Sequence, residues 1–234
     1  MSGHSKWTQI KRSKGAADVK RGKLFSQLTK AITVAARIGG KNLETIVATA
    51  RAANMPKENI DRAIKKGTGE LGDGVQIEEI LYEGYGPGGA ALLIHALTDN
   101  RNRTIGDLRA VANKLGLTLA QPGAVQYLFQ ERGIVEVALG AVVDETELAL
   151  IDAGVEDTER EEDRLVGYVA PDQLALARTA IESSGLSLLA VRIAFVPKVF
   201  HAVDASQQEQ LLKAMEAIED LDDVSSVETN AQFS

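Results

Sequence analysis

The 234-residue chain has no cysteine, which excludes disulfides, thiol nucleophiles and zinc-thiolate sites and leaves the redox compartment open. It has no apolar run long enough to cross a bilayer; even the stretch from Leu186 to Phe200 is broken by Arg192 and Lys198. The opening residues, Met1-Ser2-Gly3-His4-Ser5-Lys6-Trp7, lack the apolar stretch of a secretory signal, so the cytoplasm is the expected location. Histidine is scarce: His4, His95 and His201 are scattered, His95 lies inside an apolar run, and no His/carboxylate spacing marks a metal site. Neither metal, cofactor nor small-molecule substrate is expected, and the chain does not read as an enzyme. The carboxylates Glu156, Asp157, Glu159, Glu161, Glu162 and Asp163 read as a solvated hairpin turn. Their rival reading, a hard-cation site, keeps a metal-dependent enzyme as an alternative.

What the chain does have is charge asymmetry. The net charge of −7 hides a basic head: residues 1–70 carry 15 Lys/Arg against 5 Asp/Glu, and residues 71–234 carry 11 against 28. A net +10 followed by a net −17 points to a polyanion-binding head on an acidic body. At this length, with 44% hydrophobic and 25% charged residues, two or three globular domains are expected.

Periodicity divides the chain further. Leu24, Phe25, Leu28, Ile32, Ala35 and Ala36 recur at helical spacing before Gly39-Gly40, predicting a helix over 16–40. A second helix is predicted over 43–53, and a third with Pro56 as first helical residue, ending before Gly67. Glycines 69, 72 and 74 then form a connection. Beyond it the pattern predicts a strand over 76–84, a turn at Tyr85-Gly86-Pro87-Gly88-Gly89, a buried strand over 90–98, a helix opened by Thr104 and closed by Gly116, and a strand around 125–129. Residues 133–196 read as βαββαβ, the ferredoxin-like split βαβ order. A last helix from Ser206, capped by Glu209, and a strand over 224–228 cannot enclose a core alone and must pack back on the sheet of residues 76–130. The fold class is therefore α+β: a basic three-helix bundle (1–72) followed by two ferredoxin-like α+β domains, one discontinuous (73–131 with 198–234) and one inserted into it (132–197).

Several separated motifs agree with one family. They are Ser2-Gly3-His4-Ser5-Lys6-Trp7, Lys11-Arg12 through Lys20-Arg21-Gly22-Lys23, Ile32-Thr33-Val34-Ala35-Ala36-Arg37, Ala52-Ala53-Asn54-Met55-Pro56-Lys57-Glu58-Asn59-Ile60 with Ala63-Ile64-Lys65-Lys66-Gly67, Tyr82-Glu83-Gly84-Tyr85-Gly86-Pro87-Gly88-Gly89, and Thr98-Asp99-Asn100-Arg101-Asn102-Arg103-Thr104. Over essentially its whole length the chain resembles the YebC/PmpR family, which includes the mitochondrial translational activator of cytochrome c oxidase. The resemblance implies a three-domain α+β fold and a role in gene regulation, as a DNA-binding transcriptional regulator or as a translation factor on ribosomal RNA, with the ribosome as a partner.

The candidate nucleic-acid contacts are Lys6, Lys11, Arg12, Lys14, Lys20, Arg21 and Lys23 in the basic stretch, Lys65 and Lys66 at the end of the third helix, and Arg101 and Arg103 in the loop after the second strand. Trp7 beside these cations suits either stacking on an unpaired base or anchoring the tail. The second and third helices, joined by Asn54-Met55-Pro56, could form a helix-turn-helix presenting Asn59 and Arg62; Glu58 and Asp61 on the same helix favour a structural pair instead. Arg101 and Arg103 serve phosphate, or equally ion pairs with Asp99 and Asp107. Tyr85, Gly86, Pro87, Gly88 and Gly89 lack a following helix and a Walker ending; they read as a hairpin turn, or as an RNA or partner contact.

Overall fold

The computed structural model describes residues 17–39, 41–72, 76–140, 143–161 and 163–233. The described chain separates into two compact units. The first comprises residues up to Ile38, Met55–Gln130 and those from Val196 onward; the second comprises Gly39–Asn54 and Glu131–Phe195.

In the first unit, helix α1 (Ala17–Ile38) packs on α3 (Lys57–Gly67), with Leu28, Ile32 and Ala35 of α1 and Ile60 and Ala63 of α3 buried and Thr33 Oγ1 donating to the Ala63 carbonyl at 3.4 Å. Gly67 is required there, because a Cβ at this position would lie 2.4 Å from the Thr33 carbonyl oxygen. Pro56 is the N-cap of α3, with extended ψ of 136°, so the helix begins at Lys57, one residue later than predicted. The helix between them, α2 (Lys41–Ala52), belongs to the second unit, so the three helices do not form one separate bundle. Left-handed residues bracket α2, Gly39 at φ 74° and Asn54 at φ 58°.

The first unit's sheet is built on a hairpin. Strand β1 (Glu78–Tyr85) pairs antiparallel with β2 (Ala91–Thr98), with Glu78 opposite Thr98 and Tyr85 opposite Ala91. Helix α4 (Arg101–Leu115) opens at an Asn100 N-cap whose side chain accepts from the Arg103 N–H, four residues earlier than the Thr104 start read from the sequence. Gly116, at φ 70°, closes it. The third strand is the two-residue β3 (Thr118–Leu119), and 126–128 form a 3-10 turn where a strand was expected. The expected strand is displaced because the buried Glu83 captures the backbone amides of this segment, as described below. After the insertion come β8 (His201–Ala202), α7 (Ala205–Glu219), β9 (Val224–Thr229) and β10 (Ala231–Gln232). Asp204, not Glu209, caps α7, in a reciprocal capping box with Gln207. Strand β9 adds antiparallel to β2, giving the order β3-β1-β2-β9, while β8 and β10 form a small parallel pair. Leu108 and Ala112 of α4 with Leu211, Met215 and Ile218 of α7 cover this sheet over Leu92, Ile94 and Val227. This domain is ferredoxin-like in its layering, with two helices on an antiparallel sheet, although its chain path is ββαβ and then αβ.

The second unit holds most of β4 (Phe129–Ala138) and β7 (Leu188–Pro197), with α5 (Val143–Asp152), β5 (Asp157–Arg160), β6 (Arg164–Val169) and α6 (Leu174–Ser183) between them. Its sheet order, β5-β6-β4-β7, is the split βαβ arrangement expected for the insertion. Val135, Val137 and Leu165 face Leu150, Ala177 and Ile181 of the two helices. Among the described residues no helix is long and apolar enough to cross a membrane.

Candidate nucleic-acid interface

The two ends of the β1–β2 hairpin are about 23 Å apart, at roughly 3.3 Å per residue, and each is organised around a buried carboxylate. At the Thr98 end this is Asp223, 5% exposed. Lys30 Nζ of α1 donates to its Oδ1 at 2.8 Å, Arg103 Nη2 of α4 to both oxygens at 2.8 and 2.9 Å, and Thr104 Oγ1 to Oδ2 at 2.8 Å. Thr98 Oγ1 adds a fourth donor at 3.2 Å. Burial alone would raise the Asp223 pKa, but the hydrogen bonds from Lys30, Arg103 and Thr104 outweigh it and hold the carboxyl down at about 2. The same contacts raise the Arg103 pKa further above its ordinary value.

This junction extends along α1. Lys23 Nζ donates to the Glu219 carbonyl, Gln27 Nε2 to the Val224 carbonyl at 2.5 Å, Lys30 also to the Asp222 carbonyl at 3.1 Å, and Arg37 Nη1 to the Ile77 carbonyl at 3.1 Å. Positions 23, 27, 30, 34 and 37 form one helical stripe, and Val34 packs within it on Ile77 and Leu97. The polar half of this stripe was invisible to a search for apolar periodicity. Two of the cations expected at nucleic acid, Lys23 and Arg103, therefore already bond protein acceptors, and Arg101 pairs with Glu78. Arg103 also meets Asp99 at 2.7 Å, as one of the sequence readings allowed; its main partner, Asp223, lies 120 residues away and left no local signal.

At the Tyr85 end the buried carboxylate is Glu83, 4% exposed. It accepts from the backbone N–H groups of Gly123, Val125 and Gln126 at 2.5, 2.6 and 2.9 Å. Burial raises its pKa, and these amides, with that of Ala124, bring it below the ordinary value. The loop they fix meets the glycine turn: Tyr85 Oη donates to the Ala124 carbonyl at 3.3 Å. Pro87–Gly89 is a single 3-10 turn with Gly88 and Gly89 at φ 74° and 82°, conformations open to glycine. Gly86 is buried, and a Cβ there would lie 2.6 Å from Leu211 Cδ1.

Of the remaining expected contacts, Lys65 and Lys66 are exposed in the last turn of α3, where cations complement the helix dipole. Lys20 and Arg21 lie in the first two turns of α1. Lys6, Trp7, Lys11, Arg12 and Lys14 lie outside the described residues. In the second unit, Arg164 pairs with Glu136 and Asp163, and Arg132 with Glu156 at 2.7 Å, so several carboxylates of the acidic turn region have cationic partners. His95 bonds Glu79 at 2.5 Å, which lowers the Glu79 pKa, and His201 bonds the Gly88 carbonyl at 2.7 Å. Among the described residues no group of three or more His, Asp or Glu is placed to hold a metal ion.

N-terminal helices followed by two antiparallel-sheet domains, one inserted in the other, define the class of protein. Residues 5–70 match the family model of the TACO1/YebC protein N-terminal domain, and residues 77–231 that of the TACO1/YebC second and third domain. A probable transcriptional regulatory protein of Thermotoga maritima is 46% identical over 241 residues, covering 100% of this chain and 94% of that protein. One of Treponema denticola is 44% identical over 240 residues, covering 100% and 97%. The crystal structure of a conserved hypothetical protein from Aquifex aeolicus superposes with a TM-score of 0.84 at 41% identity, covering 93% of this chain and 92% of that one. The chain belongs to the TACO1/YebC family.

Proposed function

We propose that this protein is a cytoplasmic, non-catalytic regulator of gene expression that binds nucleic acid through phosphate contacts of its N-terminal segment, as a DNA-binding transcriptional regulator. The observation that carries this reading is the charge polarity: a net +10 in residues 1–70 ahead of a net −17. The names of the relatives support the regulatory role. Lys6, Lys11, Arg12, Lys14, Lys20, Arg21, Lys65 and Lys66 supply the phosphate contacts. Lys23 spends a donor on the Glu219 carbonyl at the end of α7 and Arg103 spends its donors on Asp223, and Arg101, paired with Glu78, is a secondary contact.

Such binding is electrostatic and carries no base reading. If about five cations meet phosphates, log affinity for duplex falls against log salt with a slope near −4.5, roughly 500-fold between 50 and 200 mM. Charge reversal at Lys11, Arg12, Lys20 and Arg21 in the full chain lowers affinity across all duplex sequences and flattens the slope. Salt titrations on matched duplex DNA and structured RNA test this; a flat salt dependence, or a sequence preference that survives the reversals, overturns it. A second reading, a translation factor on ribosomal RNA, draws on the exposed Tyr85 beside the glycine turn, since aromatic faces suit unpaired bases. Tighter binding to structured RNA than to duplex DNA selects that reading.

A further inference from the structure

The Tyr85 end of the hairpin gathers three segments that are distant in sequence. Tyr85 Oη bonds the Ala124 carbonyl at 3.3 Å, the Lys198 N–H bonds the Leu128 carbonyl at 2.8 Å, and the His201 ring bonds the Gly88 carbonyl at 2.7 Å. Each segment is thus tied to the other two, and Lys198 to His201 spans at most about 10 Å of chain. The face they form exposes Tyr127 (65%), Val199 and Phe200 (45%), with Tyr85 at 38%. In a chain that is only 4% aromatic, every exposed aromatic side chain among the described residues lies here.

The three segments themselves are free of acid. Residues 84–98, 116–130 and 195–203 contain no Asp or Glu, although residues 71–234 hold 28; besides the two tyrosines, the titratable groups they contain are Lys198, His201 and His95. Of the carboxylates that adjoin these segments in sequence, Glu83 is buried and turned onto backbone amides, Asp204 is engaged as the α7 N-cap, Asp99 pairs with Arg103 at the other end of the hairpin, and Glu131 is exposed just past the second segment. Gly88 and Gly89 present exposed backbone without side chains, so a ligand backbone can approach closely.

Exposed rings, an exposed lysine and a lack of carboxylates on an otherwise acidic body match the recognition of a polyanion with unpaired π faces. We propose that Tyr85, Tyr127 and Phe200 form a stacking platform for unpaired nucleobases, with Lys198 meeting the adjoining phosphate. It is a second nucleic-acid contact, separate in chemistry from the cationic N-terminal segment. This rests on the nucleic-acid reading of the preceding subsection and adds to it a class of ligand, single-stranded nucleic acid. The buried Glu83 serves as a positioning residue, fixing the loop that carries Tyr127 without placing negative charge on the face.

The test uses the full chain, a short oligoadenylate and a duplex of matched length. Tyr127→Ala and Phe200→Ala remove exposed rings and should each weaken oligoadenylate binding roughly tenfold, within the range of stacking per base. Duplex affinity and the log–log salt slope should be unchanged, and Tyr127→Phe should retain binding. Wild-type duplex binding with no measurable oligoadenylate binding, or a folded Tyr127→Ala/Phe200→Ala double variant with unaltered oligoadenylate affinity, overturns the platform and leaves the phosphate-binding reading standing. The latter outcome would mark the face as a protein contact. Equal losses on duplex and oligoadenylate also overturn it. Failure of the wild type to bind either ligand would instead strike the underlying reading.

Discussion

Asp223 and Glu83 are buried alike at opposite ends of one hairpin, yet they are satisfied by different chemistry. Asp223 takes its hydrogen bonds from cations and hydroxyls on α1, β2 and α4, and so ties three separate elements to the turn that enters β9. Glu83 takes its bonds from successive backbone amides of a single loop. The first arrangement consumes cations that the sequence offers to a ligand; the second shapes a surface without using any. A buried carboxylate can thus act as a joint or as a mould, according to whether its donors come from side chains or from backbone.

The largest expected effect falls on the joint. Asp223→Ala leaves Lys30 and Arg103 without their shared acceptor and should cost about 3 kcal/mol, at the low end for a broken buried pair because both cations retain some solvent. Urea unfolding of the full chain measures it, and a loss below about 1 kcal/mol would reduce the joint to an ordinary surface pair. Acid should expose the same carboxylate. Its folded pKa of about 2 lies below its ordinary 3.8, so its contribution, roughly 2 kcal/mol, is fully present above about pH 4 and is lost as pH falls towards 2. Asp223→Asn should remove that part of the acid dependence; an unchanged stability–pH curve for the variant would assign it to other groups.

The mould should be softer. Glu83→Ala deprives the buried Val125 amide of its acceptor and should cost about 1.5 kcal/mol, with the damage confined to one loop. Hydrogen exchange at the amides of Gly123, Val125 and Gln126 should accelerate while exchange in α1 does not. Equal acceleration in α1 would mean that the two ends are not independent. The smallest effect on stability belongs to the exposed cations: Lys65→Glu with Lys66→Glu should leave unfolding within about 0.5 kcal/mol of the parent while weakening duplex binding. A larger stability loss would place these lysines in the fold instead of at a ligand.

Much of this architecture was legible. The split βαβ order of the insertion, the return of the last helix and strand to the first sheet, and the glycine turn all follow from local periodicity and turn chemistry, because each element's own residues encode its buried face. The errors came where side chains reach across the chain. Asn100 opens α4 because its carboxamide meets the Arg103 N–H, and the expected strand over 125–129 gives way to a turn because Glu83 holds its amides. Lys23 and Arg103 looked like ligand cations, since a cation reads the same whether its partner is a phosphate or a protein oxygen 120 or more residues away.

By itself, then, the sequence determined the α+β class, the insertion, the charge polarity and the family, since composition, period and motif are properties of neighbouring residues. Which cations are spent inside the protein, and which rings share a face, only the tertiary structure decided. The segments that carry Tyr85, Tyr127 and Phe200 are joined by hydrogen bonds across 39, 70 and 113 residues, and long-range contacts of that kind are set by chain folding and leave no periodic trace in the residues themselves.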